Sequence, residues 1–106
     1  MARLMRDPAV VWRKETRAEQ AVLEAMRRGE DASERGVVTL VVSGMMHQLN
    51  LFGGRIWELA DGTRTTAEIA AAIAAEFGWP VDLVTGDVEE FAKDLVAKGW
   101  LRDGAA

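Results

Sequence analysis

HQLNLFGGRIWELADG at residues 47–62, followed without a break by TRTTAEIAAAIAAEF at residues 63–77, decides how this chain folds. The stretch reads as the end of a strand, a helix, a tight Asp-Gly turn and a second helix. It holds one histidine, His47, and neither cysteine nor serine, so its pattern is that of a recognition module and not of a reaction centre. Asn50 can cap the first helix, and Leu51, Phe52, Ile56, Trp57, Leu59 and Ala60 give it a broad apolar surface. Gly53 and Gly54 are unexpected there, since each costs about 1 kcal/mol relative to alanine inside a helix; close approach of another backbone would justify them. Thr65 and Glu68 have the spacing of a capping box, and Ile69, Ile73 and Phe77 share one face of the second helix.

Upstream, residues 37–42 are rich in β-branched side chains, and Ser43-Gly44 separates them from residues 45–49, which predicts a hairpin with a two-residue turn. That turn sets 42 opposite 45, 40 opposite 47 and 38 opposite 49. With Leu49 facing the core, Val38, Leu40, Val42, Met45 and His47 face it too, leaving Met46 and Gln48 on the outer side. Residues 9–14 form an earlier strand. Thr16 and Glu19 suggest a capping box for a helix carrying Ala21, Val22, Ala25 and Met26, which Gly29 ends before a charged linker over 30–35. Downstream, Gly78-Trp79-Pro80 is a loop, Asp82 starts a last helix with Val84, Val88, Phe91 and Leu95 on one stripe, and Gly99 ends it before a closing strand over 100–102. The expected fold class is α+β: a winged helix-turn-helix-like domain with a small antiparallel sheet, a three-helix bundle and an inserted N-terminal helix.

Composition limits what the module can do. The 106 residues, 49% of them apolar, suit one domain over 1–106, with a strand and inserted helix in 1–35 ahead of a core in 36–102. The net charge is −4, and it is uneven: residues 1–35 carry eight basic and seven acidic side chains, residues 36–106 five and ten. A DNA reader needs basic residues on its recognition helix, whereas residues 82–98 carry five acids against Lys93 and Lys98. Nucleic acid is therefore not an expected partner. The absence of cysteine excludes disulfides, thiolate zinc sites and an iron–sulfur cluster held by this chain, so redox chemistry would belong to a partner. No apolar run approaches the roughly 20 residues that span a bilayer, and no signal peptide opens the chain, so a cytoplasmic protein without membrane contact is expected.

Nothing in the residue set makes an enzyme. His47 lies in a strand of alternating burial, where a histidine is more often packed than catalytic. Asp87, Glu89, Glu90 and Asp94 sit on a helix without the loop geometry of a calcium site and read as a solvated face; no metal or cofactor is expected. Trp57 and Trp100 read as packing residues and Trp79 as partly exposed. Met45 and Met46, adjacent in a strand, put one side chain on each face, so at most one of them is a surface contact for an apolar ligand group, the alternative being sheet packing.

Together Leu49-Asn50, Ile56-Trp57-Glu58-Leu59, Asp61-Gly62, Thr65, Glu68-Ile69, Ile73, Phe77, Asp87-Val88, Phe91, Leu95 and Gly99 resemble the PqqD family, over about residues 36–102. These are peptide chaperones, also called precursor-peptide recognition elements, of pathways that modify ribosomally made peptides. The insertion over 15–35, the opening VVWRKE and the segment GMMHQLN resemble the subgroup that accompanies radical SAM and SPASM maturases in GeoRSP-type systems. The resemblance implies a non-catalytic protein that binds a leader peptide by strand addition and presents it to such a maturase, and it leaves a homodimer open. It places the peptide on Met45, Met46, His47, Gln48 and Leu49, with a groove formed by Leu83, Val84, Asp87, Val88, Phe91 and Asp94 and with Glu90 nearby. The competing reading is a winged helix-turn-helix interaction module or transcription regulator.

Overall fold

The computed structural model describes residues 3–104. In chain order the elements are β1 (Arg3–Arg6), β2 (Val11–Lys14), α1 (Thr16–Arg27), β3 (Val38–Val42), β4 (Met45–Leu49), α2 (Leu51–Leu59), β5 (Asp61–Thr65), α3 (Thr66–Phe77), α4 (Val81–Ala97) and β6 (Leu101–Gly104). They make a mixed α/β fold with four helices and two antiparallel three-stranded sheets, ordered β2-β3-β4 and β5-β1-β6. One compact unit comprises Pro8–Gly54; the other comprises the residues up to Asp7 and those from Arg55 onward.

In the Pro8–Gly54 unit the hairpin has the predicted register, with Val42 opposite Met45, Leu40 opposite His47 and Val38 opposite Leu49. Ser43 and Gly44 both have positive φ (52° and 78°), the left-handed pair that matches the right-handed twist of its strands. Val38, Leu40 and Leu49 are buried with Val10, Val22, Val37 and Leu51. Met45, expected on the same side, is exposed because it stands beside the turn at the end of the strand. Gly54 answers the question its sequence raised: a Cβ there would lie 2.9 Å from Val38 Cγ2 and 3.1 Å from Val37 Cγ2. Side chains, not backbone, make the close approach.

The Thr16/Glu19 capping box does not form. The helix starts at Thr16 itself, so its hydroxyl lies inside the first turn, and Glu15 occupies the cap position without a side-chain cap bond. The carboxylate of Glu15 instead accepts from Arg13 at 2.9 and 3.1 Å, which, with Thr39 as a lesser donor, holds its pKa below the usual range. Glu19 is buried and pairs with Lys14 at 3.2 Å.

The second unit departs further from expectation. Residues 3–6 form the middle strand of a sheet, and residues 61–65, in which only the Asp61-Gly62 turn and the Thr65 cap are expected, form one of its edges. Asp61 still makes its turn, accepting from the Thr63 amide and hydroxyl, while the chain around it pairs with β1. The predicted closing strand exists as β6. Arg6 donates to the carbonyls of Trp57 and Glu58, both at 2.8 Å, satisfying acceptors that the end of α2 leaves open. Thr65 and Glu68 form the reciprocal capping box of α3, and Gly78, at φ 69°, closes that helix. α4 begins at Val81 behind Pro80, one residue before the expected Asp82. The core of this unit is Leu4, Ile56, Trp57, Ile69, Ile73, Val84, Val88, Leu95 and Leu101. Trp79 is 37% exposed and stacks on Phe77 with ring centroids 4.6 Å apart.

Candidate functional site

Strand order makes β4 an edge. β3 is paired on both sides, by β2 and by β4, while no strand among the described residues lies beyond β4. The pair flanking a two-residue turn exchanges both backbone hydrogen bonds, and such pairs alternate along an antiparallel ladder. Met45, His47 and Leu49 therefore turn their amides and carbonyls toward β3. The opposite ladder agrees: Glu15 N–H reaches Val37 O at 2.7 Å, so within β3 the odd-numbered residues face β2 and the even-numbered ones face β4, while the Val37 amide just ahead of the strand donates to Leu49 O at 2.8 Å. By the same alternation, Met46 and Gln48 point their N–H and C=O groups off the sheet.

Side chains alternate across the two faces. Leu49 is buried, His47 is half-buried, and Met45 is exposed at the turn. On the other face Met46 is 67% exposed, and it lies in one cross-strand row with Val41 and Val11, the latter also 67% exposed. Gln48 belongs to the next row, opposite Thr39, and its side chain occupies the space over Gly36: a Cβ built on that glycine would lie 2.5 Å from Gln48 Oε1. Val11 and Val41 are not singled out by any sequence pattern, because β2 and β3 are separated by α1 and only their observed pairing aligns them.

The α4 residues implied by the resemblance divide by exposure. Val84 and Val88 are buried, packed into the α3–α4 core, and present no surface. Leu83 is 68% exposed, Asp87, Glu90 and Asp94 are exposed, and Phe91 is half-buried. Asp94 pairs with Lys98 at 2.8 Å. Among the described residues no group of three or more acidic, histidine or cysteine side chains is arranged to hold a metal ion, and no helix is long and apolar enough to cross a membrane.

The profile of the family described as coenzyme PQQ synthesis protein D (PqqD) matches residues 32–101. The chain belongs to the PqqD family. The match takes in β3, β4 and the three helices that follow. Two solved structures share the fold over nearly all of it. One is TbiB1 in complex with the TbiA(β) leader peptide, 25% identical, with a TM-score of 0.63, covering 96% of this chain and 99% of that one. The other is the solution structure of the PqqD truncation of Methylobacterium extorquens PqqCD, described as a functional, stand-alone recognition element for ribosomally synthesised and post-translationally modified peptides. It is 15% identical, with a TM-score of 0.60, and the alignment covers 93% of this chain and 87% of that one. No curated protein gives a significant match.

Proposed function

We propose that this PqqD-family protein is a non-catalytic recognition element that binds the leader of a ribosomally made precursor peptide by strand addition at β4 and presents it to a radical SAM/SPASM maturase. The observation that carries the reading is the open edge of β4, where Met46 and Gln48 turn their backbone groups outward. An extended peptide satisfies those groups as another strand would. The leader peptide bound by the related TbiB1 supports the ligand class. A chain without cysteine cannot itself hold an iron–sulfur cluster, which is in keeping with a redox partner that does.

The outward N–H and C=O groups of Met46 and Gln48 accommodate about four hydrogen bonds, each contributing about 0.5–1.5 kcal/mol. The sum, about 2–6 kcal/mol, falls short of the roughly 8 kcal/mol of a micromolar complex. Side chains must supply the difference and the selectivity. On α4, taken by itself, Leu83, Asp87 and Glu90 are exposed and Phe91 is half-buried, and the acidic pair suits a basic leader residue.

The fold reading that accompanies this function is a winged helix-turn-helix kind of module, supported by the element order of a hairpin followed by α2, α3 and α4. DNA recognition is disfavoured: α3 carries Glu68 and Glu76 and no basic residue, and α4 carries five acids against Lys93.

Calorimetric titration with leader peptides from precursor-like genes beside the gene for this protein, against scrambled peptides, tests the proposal. Sequence-dependent binding in the micromolar range is expected. Gln48→Pro removes an outward amide and should weaken that binding at least tenfold in a variant that remains folded. Wild-type affinity in that variant would exclude the β4 edge.

A further inference from the structure

We infer that Met46 selects the peptide: the residue of an added strand that lies opposite it is a large apolar one, seated as the fourth member of the row Val11–Val41–Met46. The inference rests on the strand-addition reading and extends it from backbone pairing to ligand chemistry.

The row ends on an edge strand at either side, β2 at Val11 and β4 at Met46, and the strand-addition reading places the peptide at the β4 end. Directly paired residues in a sheet point to the same face, whether the strands run parallel or antiparallel. An added strand therefore places the side chain opposite Met46 on the outer face, next to the Met46 thioether. All three members of the row are apolar and open to solvent: Val11 and Met46 are each 67% exposed and Val41 37%. No charged side chain lies in it. In the neighbouring row Arg13 stands opposite Thr39 and is held by Glu15 at 2.9 Å. An apolar residue opposite Met46 gains cross-strand contact there, whereas an acidic or basic one finds no partner in that row and covers an apolar surface. Methionine suits such a position because its unbranched, polarisable chain adapts to side chains of different shape.

Gln48 gives the outer face a second, different position. Its side chain lies over Gly36, inward from the open edge. The peptide residue opposite Gln48, two positions from the apolar one, meets the amide-bearing row and not Met46. The expected ligand is thus an extended peptide with one apolar anchor on the outer face, and the residues alternating with it turn to the side of Met45 and His47.

Selection of displayed random 12-residue peptides against the full chain, against Met46→Lys and against Val11→Lys tests this. Met46 is exposed, so lysine is tolerated there, and circular dichroism verifies that each variant is folded. Wild type should enrich peptides sharing an apolar position. In Met46→Lys that one position should change to Asp or Glu, and the best wild-type peptide should bind at least about fivefold more weakly. Val11→Lys serves as the control: it has the same face and exposure but stands two strands from Met46 and three from the added one, so preferences should not move. Enriched peptides whose apolar position is the same in Met46→Lys overturn the inference and leave the peptide reading standing. An equal shift in Val11→Lys also overturns it, because the ligand then lies across the sheet face or along the β2 edge and not along β4. Failure to enrich any peptide over scrambled sequences overturns strand addition and the inference with it.

Discussion

Gly54 and Gly86 are both glycines within helices, and replacing each by alanine should change stability in opposite directions. Alanine favours a helix interior over glycine by about 1 kcal/mol, and at Gly86 nothing within 4 Å opposes the added methyl. A gain of about 0.5–1 kcal/mol follows, seen as a rise in Tm of roughly 3–5 °C. At Gly54 the same methyl would meet Val38 Cγ2 at 2.9 Å and Val37 Cγ2 at 3.1 Å. These valines are 0% and 1% exposed, and β-branched side chains have little freedom to rotate away. Overpacking costs about 1–3 kcal/mol, and with two stiff neighbours the upper half applies. After the helix gain, Gly54→Ala should lose about 1–2 kcal/mol, a fall of roughly 5–10 °C. Thermal and urea melts followed by tryptophan fluorescence and circular dichroism measure both. Val38→Ala alone should cost about 2 kcal/mol by emptying core volume, yet combined with Gly54→Ala it should cost about 1 kcal/mol less than additively, because it removes the contacting Cγ2. If Gly54→Ala stabilises as Gly86→Ala does, the close approach of Val38 is not what the glycine serves, and the account of this helix is wrong.

Thr65→Ala removes the hydroxyl that accepts from the Glu68 amide at 3.2 Å and should cost about 1 kcal/mol in urea melts, with the fold retained. Glu68 is held below the usual glutamate pKa first by the Thr65 backbone N–H and then by the Thr65 side chain, and Asp61 first by the Thr63 hydroxyl and then by its amide. Because the folded values are lowered, this stability is complete above the unfolded values and is lost as pH falls below about 4 through the folded ones. Glu68→Gln should flatten that acid limb, whereas Thr65→Ala should leave most of it, since the leading backbone bond survives. The double variant Asp87→Lys/Glu90→Lys should weaken binding of a basic leader several-fold in calorimetry at low salt, with the difference shrinking as salt rises. Unchanged affinity would remove both residues from the recognition surface.

What the sequence made legible was local. Ser43-Gly44 between β-branched runs specified a turn, a register and the residues on each face, and Thr65 with Glu68 specified the start of α3. Gly78 and Gly99 marked helix ends because both take positive φ. The failures came where a distant partner decided the outcome. Residues 3–6 and 61–65 have little strand propensity of their own, DGTRT reading as turn chemistry, and become strands because each pairs with the other. At α1 the helix starts at Thr16, and Glu19, the acid that would have closed the capping box, serves an ion pair with Lys14. The candidate site divides the same way. The outer position of Met46 and Gln48 followed from the hairpin alone, but the row joining Met46 to Val41 and Val11 depends on the β2–β3 pairing across α1, which no local signal sets. Burial of Val84 and Val88 was written in the stripe they share with Leu95, and that stripe faces the core.

The place of β1 also sets a timetable for the newly made chain. As the middle strand of its sheet it pairs Arg3 with Thr65 on one side and with Gly104 on the other, so the first described residues stay without one of their neighbours until residues 101–104 have been synthesised. β2, α1 and the hairpin draw all their strand partners from Pro8–Gly54 and can pair while translation continues. Ribosome-bound chains stalled soon after residue 54 emerges should already protect the hairpin amides from hydrogen exchange. Those of β1 should gain full protection only in chains long enough for residues 101–104 to have emerged, so this sheet is completed long after the hairpin.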